Sequence, residues 1–266
     1  MEYAKKRFGQ NFITDKNLIK KIISTLGEEY EHLIIEIGPG KGALTEELCN
    51  KFSKVIAIEI DRDMEKILKS KILNSNFELI ISDVLELDLE KLILSNNIKN
   101  VSIISNTPYY ITSAIIFKTL NLSKYLNKAV FMVQKEVAKR ICAKVNENNY
   151  NNLSIAVQLY ATPKYEFTVS RNLFKPIPNV DSSIVTLIFN DLNIQKVRKP
   201  QEFINFVRKI FNNKRKNILN NLTNFTLDKI KAQFILDSLK INSNLRPENI
   251  SIDNFIKIFD MVIKND

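Results

Sequence analysis

Three of the five glycines in this 266-residue chain lie in one pentapeptide, GPGKG at 38–42, directly after an apolar run. Glycine adopts backbone angles that other residues avoid, so such a turn can bring backbone N–H groups close to a ligand. Glu59 follows 21 residues after Gly38, close to the offset of about 20 residues at which an acid reaches ribose hydroxyls. The spacing predicts a site for a nucleoside-like ligand.

Two further acids leave alternatives open at this site. Asp61 could replace Glu59 at the ribose or simply cap the following helix, and we favour Glu59. Asp83 ends the third apolar run, where it could accept a hydrogen bond from an adenine amino group or cap the next helix. The pattern Glu36-x-Gly-x-Gly-x-Gly differs from the dinucleotide fingerprint, and the chain contains no P-loop sequence. This pattern is similar to that of S-adenosylmethionine-dependent methyltransferases, so we expect that cofactor rather than a nicotinamide.

A second group of polar and aromatic residues ends the fourth apolar run, where residues 105–110 read SNTPYY. The exocyclic amine of adenine is a poor nucleophile, because its lone pair is conjugated with the ring. The Asn106 side-chain oxygen and the Pro108 carbonyl could accept its two N–H hydrogens while Tyr109 stacks on the base. Such a site acts by positioning and needs no metal. The alternative is a simple Asn-x-Pro turn at the end of a strand.

Strands and helices that alternate along the chain must position these groups. Unbroken apolar runs predict parallel strands, buried on both faces, at residues 33–38, 55–60, 77–82, 101–105 and 129–134. Helical patterns lie between them, for example at 43–49 and 64–73. An amphipathic helix that begins after Asp15 and ends at Gly27 precedes the first strand.

Later segments predict a different organisation. Runs at 164–169 and 183–189 predict an antiparallel edge of a mixed sheet, and the chain beyond Pro200 has basic, helical periodicity. We therefore predict the α/β class, with a Rossmann-like S-adenosylmethionine methyltransferase domain at 1–194 that contains a mixed, mostly parallel sheet. A small α-helical C-terminal domain is predicted at 195–266.

Composition narrows the class of protein further. Lysine and arginine total 39 against 29 acids, and the formal net charge of +10 favours a polyanionic partner, although such an excess can also serve solubility. Cys49 and Cys142 lie far apart in apolar segments. This placement suits buried free thiols in the reducing cytoplasm better than a disulfide bond. No run approaches the roughly 18 apolar residues that span a bilayer, so we expect no membrane association. His32 is the only histidine, so we expect neither a histidine metal site nor a histidine-based catalytic pair.

Several motifs occur in the order seen in the ribosomal RNA adenine dimethyltransferase family, which the chain resembles over nearly its whole length. They are KRFGQNF at 6–12, EIGPG at 36–40, Glu59, Asp83, NTPY at 106–109 and FKPIPNVDS at 174–182. The resemblance implies an S-adenosylmethionine site lined by Asn11, Ile13, Gly38, Glu59, Asp83 and Asn106. It also implies that Phe174 forms a second aromatic wall of the adenine pocket. The chain has Thr107 and Asn152 where the family usually has leucine and arginine.

Within that family, the segments QKE at 134–136 and VDS at 180–182 are similar to the housekeeping enzymes of the small subunit. The resemblance then implies dimethylation at N6 of two adjacent adenosines near the 3′ end of small-subunit (16S) ribosomal RNA, as a step of ribosome biogenesis. The expected partner is this RNA or an immature small ribosomal subunit. The expected form of the protein is a cytoplasmic monomer.

Basic clusters could supply the attraction to RNA phosphates. They lie at Lys5–Arg7, at Lys135, Lys139 and Arg140, and at Arg208, Lys209, Lys214, Arg215 and Lys216. We expect the helical domain at 195–266 to bind RNA, although each cluster alone could be an ordinary solvated helix face. Two alternative functions stay open: a methylase of large-subunit ribosomal RNA, and a mainly non-catalytic RNA-binding assembly factor.

Overall fold

The computed structural model describes residues 12–106 and 108–264. The predicted site residue Asn11, the basic segment Lys5–Arg7 and Thr107 lie outside the described residues. Across the described ranges, every helix is too short or too polar to cross a bilayer.

The strands form one large sheet and one small one. They are β1 (Phe12–Ile13), β2 (Leu33–Ile37), β3 (Lys54–Glu59), β4 (Phe77–Ile81), β5 (Val101–Asn106), β6 (Lys128–Gln134), β7 (Ala161–Val169), β8 (Phe174–Lys175) and β9 (Ser182–Phe189). The large sheet has seven strands in the order β4-β3-β2-β5-β6-β9-β7, and β1 pairs with β8. Strands β2 to β6 pair in parallel, and β9 pairs antiparallel with β6.

The α-helices are α1 (Lys16–Ser24), α2 (Ala43–Lys51), α3 (Arg62–Lys71), α4 (Leu89–Leu94), α5 (Thr112–Leu120), α6 (Lys135–Cys142), α7 (Asn152–Tyr160), α8 (Pro200–Phe211), α9 (Ile218–Thr226), α10 (Lys229–Ser238) and α11 (Ile252–Lys264). The Asp15 carboxylate accepts from the Leu18 N–H at 2.7 Å and caps α1, which confirms the predicted start of that helix. The predicted mixed, mostly parallel sheet is also confirmed, and its strand ends differ from the prediction by a few residues.

The burial of their side chains explains why the apolar runs of the sequence form the central strands of the sheet. All five residues of β2 are buried, and five of the six residues of β3 are buried. Helices α1 and α2 add Ile22 and Leu48 to the same core, which continues to Phe174 of β8. Parallel strands that are covered on both faces need apolar side chains in both directions, so alternation is absent.

The chain divides into two compact units. The first contains the described residues up to Ala138 together with Pro163–Phe189, and the second contains Lys139–Thr162 and the chain from Asn190 onward. In the second unit α7 packs against α8 and α11, and the rings of Tyr150 and Phe211 meet edge to face at 6.4 Å. Residues 139–162, which the sequence assigned to the first domain, therefore cluster with the C-terminal helices.

Candidate active site

A cavity of about 460 Å³ lies in the first unit, where the parallel strands β2, β3, β4 and β5 end. We call one part of its lining the glycine end, which comprises residues 36–41, Glu59 and Asp83. We call the other part the tyrosine end, which comprises Asn106 and residues 108–111. Both ends lie at the carboxyl edge of a doubly wound sheet, where ligands bind in this class of fold.

The glycine turn has the backbone angles that its sequence predicted. Gly38, Gly40 and Gly42 have φ values of 73°, 55° and 72°, a region in which residues with a Cβ are strained. A Cβ on Gly40 would also lie only 2.9 Å from the ring of Phe12. The turn leads directly into α2 at Ala43, so its amides and the helix N-terminus border the cavity.

Glu59 and Asp61 have different roles in the structure. Glu59 lines the cavity and accepts the N–H groups of Gly40 at 3.1 Å and Asp61 at 2.9 Å, one on each oxygen. The Asp61 carboxylate instead accepts the Asp63 N–H and caps α3. Burial raises the pKa of Glu59, against the lowering effect of hydrogen bonds from the backbone of Asp61, Gly40 and Ile60. Because each carboxylate oxygen can accept a second hydrogen bond, Glu59 keeps capacity for ligand hydroxyls.

Glu36 is a second buried acid of the glycine end, for which the sequence pattern predicted no individual role. It is 1% exposed, and its Oε2 atom has no hydrogen-bond partner among the described residues. Burial, to which the negative charge of Glu59 adds, raises the pKa of Glu36 to about 7. The signal was present in the sequence, because a single carboxylate interrupts the apolar run LIIEI of β2.

Asp83 lines the cavity just after β4. One of its oxygens accepts the Leu85 N–H at 2.8 Å, which closes a local turn. The alternative that Asp83 caps the next helix is wrong, because Asp88 is the N-cap of α4. The second carboxylate oxygen of Asp83 can therefore serve a ligand.

Asn106 is the last residue of β5 and joins the two ends of the cavity. Its backbone carbonyl lies 3.8 Å from the position that a Cβ on Gly38 would occupy, so the two backbones approach closely. The neighbouring Ser105 hydroxyl donates to the Ile37 carbonyl at 2.9 Å and ties β5 to β2. The sheet thus fixes the backbone from which the Asn106 side chain extends.

The tyrosine end contains two rings with different surroundings. The Tyr109 hydroxyl is hydrogen-bonded to the buried Ser182 hydroxyl of β9 at 2.8 Å, and burial raises the pKa of Tyr109. Tyr110 is 61% exposed at the cavity. The Pro108 carbonyl already accepts the Ile111 N–H and the Thr112 hydroxyl, both at 3.2 Å. An adenine N–H would therefore compete for Pro108 with groups at the start of α5.

Two other predicted site residues lie on the small β1–β8 ladder, in which Ile13 pairs with Phe174. Ile13 lines the cavity. Phe174 is only 1% exposed and belongs to the hydrophobic core, not to the described cavity lining. In this structure Phe174 lies in the same buried hydrophobic cluster as Met132 and Ile184.

The charges around the cavity suit a cationic nucleoside. Five acids and three lysines line it: Glu36, Glu46, Glu47, Glu59 and Asp83, with Lys16, Lys41 and Lys71. S-adenosylmethionine carries a ribose, an adenine and a sulfonium cation. Glu59 offers acceptors for ribose hydroxyls, Asp83 offers one for the adenine amine, and the unpartnered Oε2 of Glu36 suits a positive charge. These residues therefore fit this cofactor.

Comparisons with known proteins agree with this geometry. The family model for ribosomal RNA adenine dimethylase matches residues 1–264. The ribosomal RNA small subunit methyltransferase A of Mesoplasma florum is 58% identical over 97% of each chain, and that of Fusobacterium nucleatum is 41% identical over 97% of each chain. The crystal structure of a dimethyladenosine transferase from Plasmodium falciparum superposes with a TM-score of 0.80 at 28% identity, covering 95% of this chain and 98% of that one. The chain belongs to the ribosomal RNA adenine dimethylase family, whose members are S-adenosylmethionine-dependent methyltransferases.

Proposed function

We propose that this protein transfers methyl groups from S-adenosylmethionine to N6 of two adjacent adenosines near the 3′ end of small-subunit ribosomal RNA, so that each receives two. The observation that carries this proposal is that one cavity is lined both by the buried acids of the glycine end and by Asn106, Pro108 and Tyr109 of the tyrosine end. The names of the relatives at 58% and 41% identity support the small subunit as the substrate.

The bound cofactor supplies a sulfonium methyl group that an amine nitrogen can attack in line. The protein has to place that amine and hold it. The Asn106 side-chain oxygen accepts one N–H of adenine, which directs the nitrogen lone pair toward the methyl group. The Tyr109 ring packs against the base, an interaction worth roughly 1–3 kcal/mol, and Ser182 holds its hydroxyl.

The Pro108 carbonyl can take the second N–H of adenine only in competition with its present partners. The Thr112 hydroxyl can rotate away, whereas the Ile111 N–H belongs to the turn before α5. For Phe174, a wall of the adenine pocket requires its ring to leave the core in which it packs.

We propose that the helical part, predicted at 195–266, binds RNA. Lys139 and Arg140 fall in the same compact unit as the basic cluster at 208–216, and the side chains of Arg208, Lys209, Arg215 and Lys216 are exposed. Exposed cations attract phosphates without regard to sequence, so salt weakens such binding. We further propose that the protein acts as a monomer in the cytoplasm on immature small ribosomal subunits.

Methyl incorporation into separate substrates tests the proposed function. The purified protein is incubated with labelled S-adenosylmethionine and either immature small subunits or large subunits, and the modified nucleoside is identified by mass spectrometry. We expect N6,N6-dimethyladenosine in the small subunit alone. Modification of the large subunit instead would favour the alternative methylase, and cofactor binding without incorporation into either would favour the assembly factor.

A matched variant shows that the signal comes from this cavity. Asn106→Ala removes the amide at the tyrosine end, and Asn121→Ala removes an exposed amide at the end of α5. We expect only the first variant to lose incorporation. Equal activity of the two variants would contradict the proposed site.

A further inference from the structure

Three exposed apolar side chains lie on the loop before β9 or at its entrance. We call residues 174–181 (FKPIPNVD) the proline loop. Ile177 is 61% exposed and Val180 is 43% exposed, and Leu173 at the entrance to the loop is 37% exposed. Aliphatic side chains on an ordered loop remain in water at a cost, so a cluster of them marks a contact surface.

Both ends of the proline loop are attached to residues that border the cavity. At its start, Phe174 pairs with Ile13, which lines the cavity. Immediately after its end, the Ser182 hydroxyl is hydrogen-bonded to Tyr109, which also lines the cavity. Both ends of the loop that carries the exposed residues therefore contact the lining of the proposed adenine site, within the same compact unit.

Hydrogen bonds hold the proline loop in one shape. The Asp181 carboxylate accepts the Arg171 N–H at 3.0 Å, and the Arg171 guanidinium donates to the Asn179 carbonyl at 3.1 Å. The Asp181 carbonyl accepts the Lys135 N–H at 3.0 Å. The prolines at 176 and 178 restrict the backbone on both sides of Ile177. A preorganised loop loses little entropy when it binds.

The chemistry of this surface fits unstacked RNA bases. Lys175 and Arg171 are exposed beside the apolar residues, so cations for phosphates accompany aliphatic groups for base faces. An adenine that enters the cavity must leave its stack, which exposes the faces of its neighbours. Proteins that open base stacks commonly insert aliphatic wedges between the bases.

We propose that Ile177 and Val180 form an apolar wedge that contacts the nucleotides next to the target adenosine and keeps them apart while it occupies the cavity. This inference rests on the proposed function. The wedge contributes to capture of the target base rather than to methyl transfer itself. Loss of the wedge therefore lowers kcat/KM on RNA without changing cofactor affinity.

A photocrosslinking residue at position 177 tests the contact directly. Full-length protein with Ile177→benzoylphenylalanine is irradiated on immature small ribosomal subunits, and the crosslinked nucleotides are mapped by reverse transcription. We expect crosslinks to the nucleotides immediately beside the methylated adenosines. The same residue at position 94, on α4 and 58% exposed, provides the control. Crosslinks from position 177 to a ribosomal protein or to distant RNA would overturn the proposal.

Serine substitutions test whether the contact matters for capture. We expect the double variant Ile177→Ser, Val180→Ser to lower kcat/KM on immature small subunits by about tenfold, from the scale of base contacts. The matched control Leu94→Ser, Ile188→Ser replaces side chains that are 58% and 40% exposed, and it should keep wild-type activity. Unchanged kcat/KM in the loop variant would overturn the wedge. If the wild type did not methylate small subunits at all, the proposed function would fail first and the wedge with it.

Discussion

The two ends of the cavity are built in opposite ways. At the glycine end, Glu36 and Glu59 are 1% and 5% exposed, and backbone donors already hold both oxygens of Glu59. At the tyrosine end, Tyr110 is 61% exposed, and the Tyr109 hydroxyl is hydrogen-bonded to the Ser182 hydroxyl. The first end is preorganised by strand and turn backbone, whereas the second consists of side chains that follow a strand.

This difference in preorganisation corresponds to the two ligands, the cofactor at the glycine end and the RNA base at the tyrosine end. The cofactor is a small molecule that binds in the same buried surroundings in every catalytic cycle, so acids with fixed positions can bind it. A base arrives attached to a large RNA, so its receptor has to remain accessible. We therefore expect substitutions at the glycine end to change cofactor affinity and protein stability, and substitutions at the tyrosine end to change turnover.

The largest expected effect is the loss of turnover in Asn106→Ala. Removing one preorganised hydrogen-bonding group from an active site lowers kcat by about 10²–10³, because the amine is no longer held toward the methyl group. Single-turnover methylation of small subunits measures this loss, and calorimetry with S-adenosylmethionine measures cofactor affinity separately. A fall in affinity as large as the fall in turnover would mean that Asn106 belongs to the glycine end instead.

The next largest effect concerns the free energy of unfolding without bound cofactor. Denaturant unfolding compares Glu36→Gln with the wild type. The folded pKa of Glu36 is about 7, above the value of about 4.3 in an unfolded chain. The protonated carboxyl thus favours folding below about pH 4.3, and this contribution is lost as the pH rises through 7. At pH 8 the wild type bears a buried charge that the glutamine variant lacks. We expect the variant to gain roughly 3–4 kcal/mol at pH 8 but only about 1 kcal/mol at pH 5.

The exposed Glu31, two residues before β2, provides the control for that measurement. Glu31→Gln should leave the free energy of unfolding nearly unchanged at both pH values, because its carboxylate stays in water. A gain in Glu36→Gln that was the same at pH 5 and pH 8 would show a packing effect and not the removal of a buried charge.

A smaller effect is expected from glycine substitutions, which distinguish a loss of cofactor contact from a general cost of backbone strain. Gly40→Ala and Gly27→Ala both place a Cβ at positive φ, 55° and 108°, so each should destabilise the fold by at least about 1–2 kcal/mol. Only Gly40 lies at the cavity, and its added Cβ would press on Phe12. We expect about a tenfold loss of cofactor affinity in Gly40→Ala alone. Equal losses in both variants would assign the effect to general destabilisation.

Much of the fold was predictable because central parallel strands require unbroken apolar runs, and those runs stand out in the sequence. The β1–β8 pair was not predictable, since each strand has two residues and their partners are far apart in the chain. The packing of residues 139–162 was missed for a related reason. The packing of Tyr150 against Phe211 of α8 depends on tertiary contacts that local periodicity does not reveal.

The site was predictable where a role follows from position at the end of a strand. Gly38, Glu59 and Asn106 lie along the cavity because each closes or follows a parallel strand. The positions of Phe174 and of the Pro108 carbonyl depended on packing and hydrogen bonding instead. The sequence could not show that Phe174 is enclosed by the core or that α5 already uses the Pro108 oxygen.

The smallest expected effect tests whether Ser182 positions the Tyr109 ring. Tyr109→Phe and Ser182→Ala each remove the 2.8 Å contact between the two hydroxyls while leaving the ring or the strand in place. A hydrogen bond contributes about 1 kcal/mol net, so we expect each variant to lower kcat about fivefold at nearly unchanged cofactor affinity. Because both lose the same bond, the double variant should lose no more than either single variant. Losses that multiplied in the double variant would mean that the two hydroxyls act independently, and that the tyrosine end is positioned by its backbone as the glycine end is.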